Sequence, residues 1–119
     1  MLVDAFYTQA ADFLGELSRV FPYDLDFPAY RAQFALMRKA NPTLALKQFG
    51  LYTSVLEPVL QTRSADTFLT CDVPPELAGL VEKLRGYWLY MTPENQGVVW
   101  SYLTLLTQIA KRYSALPPG

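Results

Sequence analysis

Histidine is absent from this chain, and cysteine occurs once, at Cys71. Without imidazole and with a single thiol, the usual zinc, iron and copper ligand sets cannot be assembled and no internal disulfide can close. Every mechanism that needs a histidine base is excluded with them. Cys71 lies in Leu69-Thr70-Cys71-Asp72, where the adjacent carboxylate opposes thiolate formation, so it reads as a passive thiol. A glycine-rich phosphate loop, a nucleophile elbow and an acidic metal-binding loop are also missing. No apolar run approaches the ~20 residues that a membrane span requires. The opening residues MLVDAFYTQAADF carry acids instead of a basic segment before an apolar block, and position 2 is leucine. Neither a secretory signal, a mitochondrial presequence nor a myristoylation site is expected from them. The expectation is a non-secreted protein with no metal, no cofactor, no catalytic residues and no enzymatic activity.

What the chain does contain is apolar and aromatic bulk. Of its 119 residues 51% are hydrophobic and 14% aromatic, which is too rich for disorder and enough for one domain with a real core. The expected unit is residues 1–119, with 116–119 as a frayed tail. Charge is nearly balanced at −1 but unevenly spread. Residues 1–26 carry Asp4, Asp12, Glu16, Asp24 and Asp26 against Arg19, for −4, whereas residues 27–64 carry Arg31, Arg38, Lys39, Lys47 and Arg63 against Glu57, for +4. The simpler reading is an acidic first helix lying beside basic neighbours. The sharper one, a nucleic-acid surface built on Arg31, Arg38, Lys39 and Lys47, would want more cations and a basic domain. Nucleic acid is therefore the alternative partner, behind protein.

No alternating pattern of strands is present, and five helical stripes follow one another. Phe6, Ala10, Phe13, Leu14, Leu17 and Val20 recur at helical spacing over residues 3–20, and Pro22 closes that helix. In the following loop Asp24 and Asp26 read as turn and cap residues. A second helix runs from Asp26 or Pro28 to about Ala40, before the Asn41-Pro42 breaker. A third carries Leu46, Phe49, Tyr52, Val55 and Leu56 and should kink or stop at Pro58. Residues 62–75 read as a connection with at most one helical turn, pinned by Phe68. The fourth helix starts at Pro75-Glu76 and carries Leu80, Val81, Leu84, Tyr87 and Trp88, with Lys83 and Arg85 as surface charges.

The strongest signal starts at Thr92. Its hydroxyl can cap a first turn, Pro93 suits the first helical position, and Glu94 favours the positive end of the dipole. Val99, Tyr102, Leu103, Leu106, Ile109, Ala110 and Tyr113 then form a stripe, broadened by Val98 and Leu105, so this helix should be buried on more than one side. At 1.5 Å per residue it would run roughly 33 Å, across the whole domain as its spine. The short link at Thr92 predicts an antiparallel or steeply crossed hairpin with the fourth helix, bringing Trp88 and Trp100 into one core. The fold class expected is all-α: a single compact domain of about five helices with a long central C-terminal helix.

The segment Trp88-x-x-Met91-Thr92-x-Glu94-Asn95-Gln96-x-x-Val99-Trp100-x-Tyr102-Leu103-x-x-Leu106 resembles a C-terminal signature of uncharacterised small helical proteins of large DNA viruses of algae and amoebae. The amphipathic first helix ending in Phe21-Pro22 fits the same pattern in outline, while Asp66-Thr67-Phe68 departs from it. The resemblance implies a viral accessory or virion-associated protein that acts by binding another protein, in the host cytoplasm or the virion. Its residues Trp88, Thr92, Glu94, Asn95, Trp100 and Tyr102 have a structural explanation as cap and core. Leu2, Val3 and Tyr7 lie outside the main stripe of the first helix and are the expected surface for a protein partner or a homodimer.

Overall fold

The computed structural model describes residues 2–51, 53–70 and 78–116. Tyr52, Cys71, the Pro75-Glu76 helix start and the tail from 117 lie outside them. The described residues form seven α-helices and no strand: α1 Leu2–Val20, α2 Asp26–Ala40, α3 Leu44–Gly50, α4 Thr53–Thr62, α5 Ala65–Phe68, α6 Ala78–Tyr87 and α7 Pro93–Ser114. A 3-10 turn, Trp88–Tyr90, links the last two. The all-α expectation holds, with more helices than five.

α7 is the spine. Thr92 Oγ1 accepts the Asn95 backbone N–H at 3.1 Å, the expected cap, and Pro93 opens the helix. α7 buries Val99, Trp100, Leu106, Thr107, Ile109 and Ala110, packing along α1 on one side and α3 and α4 on the other. Val98 is half-buried, whereas Leu105 is exposed. Trp88 and Trp100 meet edge to face with ring centres 5.0 Å apart, and Phe68 packs on both at 5.2 and 5.5 Å. Of the two hairpin forms expected, the close antiparallel one is not seen: the main backbone contacts of α7 are with α1, α3 and α4. The link is made by Trp88 and by Gln96, whose Nε2 donates to the Trp88 carbonyl at 2.8 Å. The 3-10 turn thus carries Trp88 into the core while α6 departs along another course.

The third helix also divides in an unexpected place. It stops at Gly50 and restarts at Thr53, and the second piece runs through Pro58 to Thr62. Two local facts bear on these two positions. A Cβ on Gly50 would stand 2.6 Å from Ser114 Oγ of α7, so glycine permits the close approach of α3 and α7. Pro58 removes the N–H that would have bonded Ser54, but Ser54 is exposed and water can satisfy its carbonyl. At the end of α4, Arg63 adopts φ 49° and the Ser64 N–H bonds the Val59 carbonyl at 3.3 Å, the Schellman arrangement for stopping a helix. The predicted single turn then follows as α5. Ser64 caps it from its side-chain oxygen, and Phe68 is buried.

α1 lies between α2 and α7 instead of at the periphery. Its buried residues are Phe6, Tyr7, Ala10, Phe13, Leu14 and Leu17. This corrects the partner surface expected at Leu2, Val3 and Tyr7. Tyr7 is only 3% exposed, and Leu2 and Val3 are partly buried against the core. The stripe is wider than a single row because two helices cover α1: Phe34 of α2 packs its ring 6.4 Å from that of Tyr7, and the Arg38 guanidinium lies 6.0 Å over the same ring. On the other flank Phe13 stacks on Tyr102 of α7 at 5.1 Å.

Candidate functional site: an open groove over the sixth helix

Two hollows can be compared. The first lies inside the core among Phe6, Phe13, Phe49, Leu84 and Leu106, and holds about 60 Å³. That is well under the ~150 Å³ of an engineered apolar cavity able to take benzene. It is a packing defect, too small for an organic ligand. The second is an open groove of about 710 Å³ on the surface, lined by Phe21, Gly79, Glu82, Lys83, Gly86, Tyr87 and Tyr90.

The groove is built where the loop after α1 meets α6. Pro22 ends α1, and the chain turns through Asp24, whose Oδ1 accepts the Asp26 N–H at 3.0 Å. This is the turn role expected of that residue. Its other oxygen reaches across the molecule. Asp24 Oδ2 accepts from Lys83 Nζ at 2.8 Å and from the Tyr87 hydroxyl at 2.5 Å, and the same ammonium contacts Asp26 Oδ2 at 2.7 Å. Lys83 and Tyr87 are one helical turn apart on α6 and so present both donors together. Phe21 stacks on the Tyr87 ring at 4.0 Å, and Phe27, fully buried, packs behind both. Lys83, expected as a plain surface charge, instead ties the loop after α1 to α6. Arg85 likewise turns inward, donating to the Phe68 carbonyl at 3.2 Å as well as pairing with Glu82 at 2.7 Å.

The electrostatics of this cluster are those of a tightly held ion pair. Hydrogen bonds from Lys83 and then Tyr87 hold the Asp24 carboxyl down at about 2. The same contacts raise Lys83 above the ordinary lysine range, and the bond to Asp24 raises the Tyr87 hydroxyl. Asp24 is thus a poor base near neutral pH and Lys83 a poor nucleophile. The cluster is a clamp. Among the described residues no group of acids or cysteine is arranged to hold a metal ion.

What the groove offers is shape. A Cβ on Gly86 would meet nothing within 4 Å, so the backbone of α6 lies bare at its floor. Tyr90 on its rim is 83% exposed, its neighbour Leu89 is 85% exposed, and Tyr23, beside the clamp, is 98% exposed. The sequence carried Tyr87 as a core position and gave no sign of this groove, since its walls are about sixty residues apart in the chain. The other expected surface is dispersed. Arg38 pairs with Asp4 of α1 at 2.6 Å, and Arg31 lies over Gly15 of α1, leaving Lys39 on α2 and Lys47 on α3 exposed to solvent. Of the signature residues, Trp88, Trp100 and Tyr102 serve packing and Thr92 and Asn95 the cap, while Glu94 is exposed and lines a smaller surface groove with Glu16 and Arg63. No family model, curated protein or solved structure matches the chain. Among the described residues no helix is long and apolar enough to cross a membrane.

Proposed function

We propose that this chain is a non-enzymatic binding protein whose working surface is the groove over α6, where it receives a segment of another protein. The observation that carries the reading is the combination of a bare helix backbone at Gly86 with the exposed ring of Tyr90 in the groove lining, next in the chain to the exposed Leu89. Large apolar and aromatic groups left in water around a concave surface mark contact sites, and aromatic anchors supply much of the energy in protein interfaces. The Asp24–Lys83–Tyr87 clamp supports the reading by fixing both walls before a partner arrives, which lowers the ordering cost of binding. A viral accessory role rests on the resemblance of the Trp88–Leu106 segment.

The test is affinity capture from cells that naturally produce the protein, using the wild type beside Gly86→Arg and Tyr90→Ala. Gly86→Arg fills the groove at a position with open space, and Tyr90→Ala removes a solvent-facing ring, so both should keep the wild-type fold by circular dichroism. The expected result is a stoichiometric protein partner retained by the wild type and lost from both variants. Equal recovery by the variants, or free monomer alone under gentle conditions, overturns the proposal.

A further inference from the structure

α2 is the one long helix of the described fold with an apolar stripe on its outer face. Its core-facing residues are Phe27, Tyr30, Phe34 and Met37. On the opposite side, at the spacing of a helix-to-helix seam, lie Leu25, Ala29, Ala32, Leu36 and Ala40, with Lys39 in the same row. All are exposed, Leu25 by 76% and Leu36 by 66%. Alanines between two leucines form a shallow, low-walled face that another helix can approach closely. This row reaches the clamp only at its Leu25 end and rests on a different observation from the groove over α6.

We infer that this face is covered by the α2 helix of a second copy of the chain, packed antiparallel about a two-fold axis passing between Ala32 and Gln33. Self-complementarity in size and charge selects this occupant. Centred there, the pairing sets Ala29 opposite Leu36 and Leu25 opposite Ala40, so that each leucine meets an alanine on both sides of the axis. The charges reverse in the same register. At the start of α2, Lys83 with Asp24 and Asp26 leaves one net negative charge. At its end Arg38 is neutralised by Asp4, and Lys39 has no carboxylate within ion-pair distance among the described residues, leaving one net positive charge. Antiparallel packing brings Asp26 level with the partner subunit's Lys39 and opposes the helix dipoles favourably. Parallel packing would set like ends together. A pair of 15-residue helices is a small interface, below the ~1,200 Å² of stable complexes, so the dimer is a weak, reversible one.

Sedimentation equilibrium of the full chain from about 1 to 500 µM measures the association. The wild type should pass from monomer to dimer, Leu36→Glu should weaken dimerisation at least about tenfold at unchanged helicity and Tm, and Lys39→Glu should weaken it in a salt-dependent way. Register is read by disulfide trapping in a Cys71→Ser background. Ala32→Cys, beside the axis, should cross-link to itself, whereas Ala40→Cys should not, its copies being about 22 Å apart along the helix. Leu25→Cys mixed with Ala40→Cys should give the mixed dimer. A monomer throughout the range overturns the inference, as does a dimer that survives Leu36→Glu. If Ala32→Cys and Ala40→Cys cross-link equally, the two-fold placement is wrong. Groove variants such as Gly86→Arg should leave the association constant unchanged, so failure here is separable from failure of the α6 reading.

Discussion

Replacing Trp100 by alanine should remove more stability than almost any other single change. The side chain is 5% exposed, and its indole meets Trp88 edge to face at 5.0 Å and Phe68 at 5.5 Å. A buried tryptophan hides roughly 150–250 Å², or about 4–6 kcal/mol at 25 cal/mol per Å². Alanine keeps part of that burial, and a compact denatured state reduces the difference further, by roughly 10–40%. Each edge-to-face contact adds back about 0.5–1.5 kcal/mol beyond area. The expected loss is therefore about 3–5 kcal/mol, in line with emptied aromatic sites generally. A domain of this length has roughly 6–18 kcal/mol in total, so the variant should still fold at room temperature with a Tm lower by about 10–25 °C. Urea unfolding followed at 222 nm is the suitable assay, because indole fluorescence would change with the mutation itself. A double-mutant cycle with Trp88→Leu and Trp100→Leu should return a coupling of about 1 kcal/mol. Wild-type stability together with loss of a partner would show that Trp100 faces a ligand and refute the core assignment.

Arg63→Gly should stabilise by about 0.5–1 kcal/mol, because it relieves a side chain at φ 49° in the Schellman turn; a loss on urea unfolding would mean that the arginine contributes something the backbone does not show. Gly86→Ala should add up to about 1 kcal/mol from helix propensity, since its Cβ enters open space, and a destabilised variant would contradict the bare groove floor. Asp24→Asn should flatten the acid limb of the stability curve. Because the folded carboxyl titrates at about 2, below its unfolded value, its contribution is complete above about pH 4 and disappears as the pH falls from there toward 2. Lys83, raised in the folded state, contributes fully below its unfolded value of about 10.4 and loses that contribution only at higher pH. Thermal scans from pH 2 to 7 on wild type and variant should diverge above pH 4 and converge toward pH 2; parallel curves would show that the clamp does not hold in solution.

Local physics made some elements legible in the sequence. The Thr92-Pro93-Glu94 start acts through atoms within one helical turn, and the structure shows the same cap and bounds. The Phe68 turn and the end of α1 were readable for the same reason. The errors all required knowledge of what lies across from a residue. Tyr7 stood outside a one-row stripe, but α1 is covered by two helices, so the buried arc is wider than a row. The break expected at proline falls after Gly50 instead, and α4 runs through Pro58 because the missing N–H leaves only a carbonyl at exposed Ser54 to be satisfied by water. Short linkage left the hairpin open between a close antiparallel pair and a steep crossing, and the 3-10 turn at Trp88–Tyr90 goes with the absence of the close antiparallel form. For the groove, the sequence showed Asp24 as a turn former and Lys83 as a solvated lysine. Both descriptions are locally sound, and neither reveals that the two atoms are 2.8 Å apart.

That clamp also gives the fold its order of dependence. The turn after α1 has few apolar anchors besides Phe21 and Phe27, and Tyr23 and Leu25 point into water. Its position against α6 is set by one carboxylate shared between an ammonium and a phenol, and by the Phe21–Tyr87 stack. α6 itself is anchored in the core by Leu80 and Leu84 and by Arg85 on the Phe68 carbonyl. The turn that forms the other wall of the groove is therefore the less anchored partner. Weakening the clamp should loosen the turn against α6 before it unfolds the domain. A surface built this way can be lost or altered by single substitutions at Asp24, Lys83 or Tyr87 while the helical core persists.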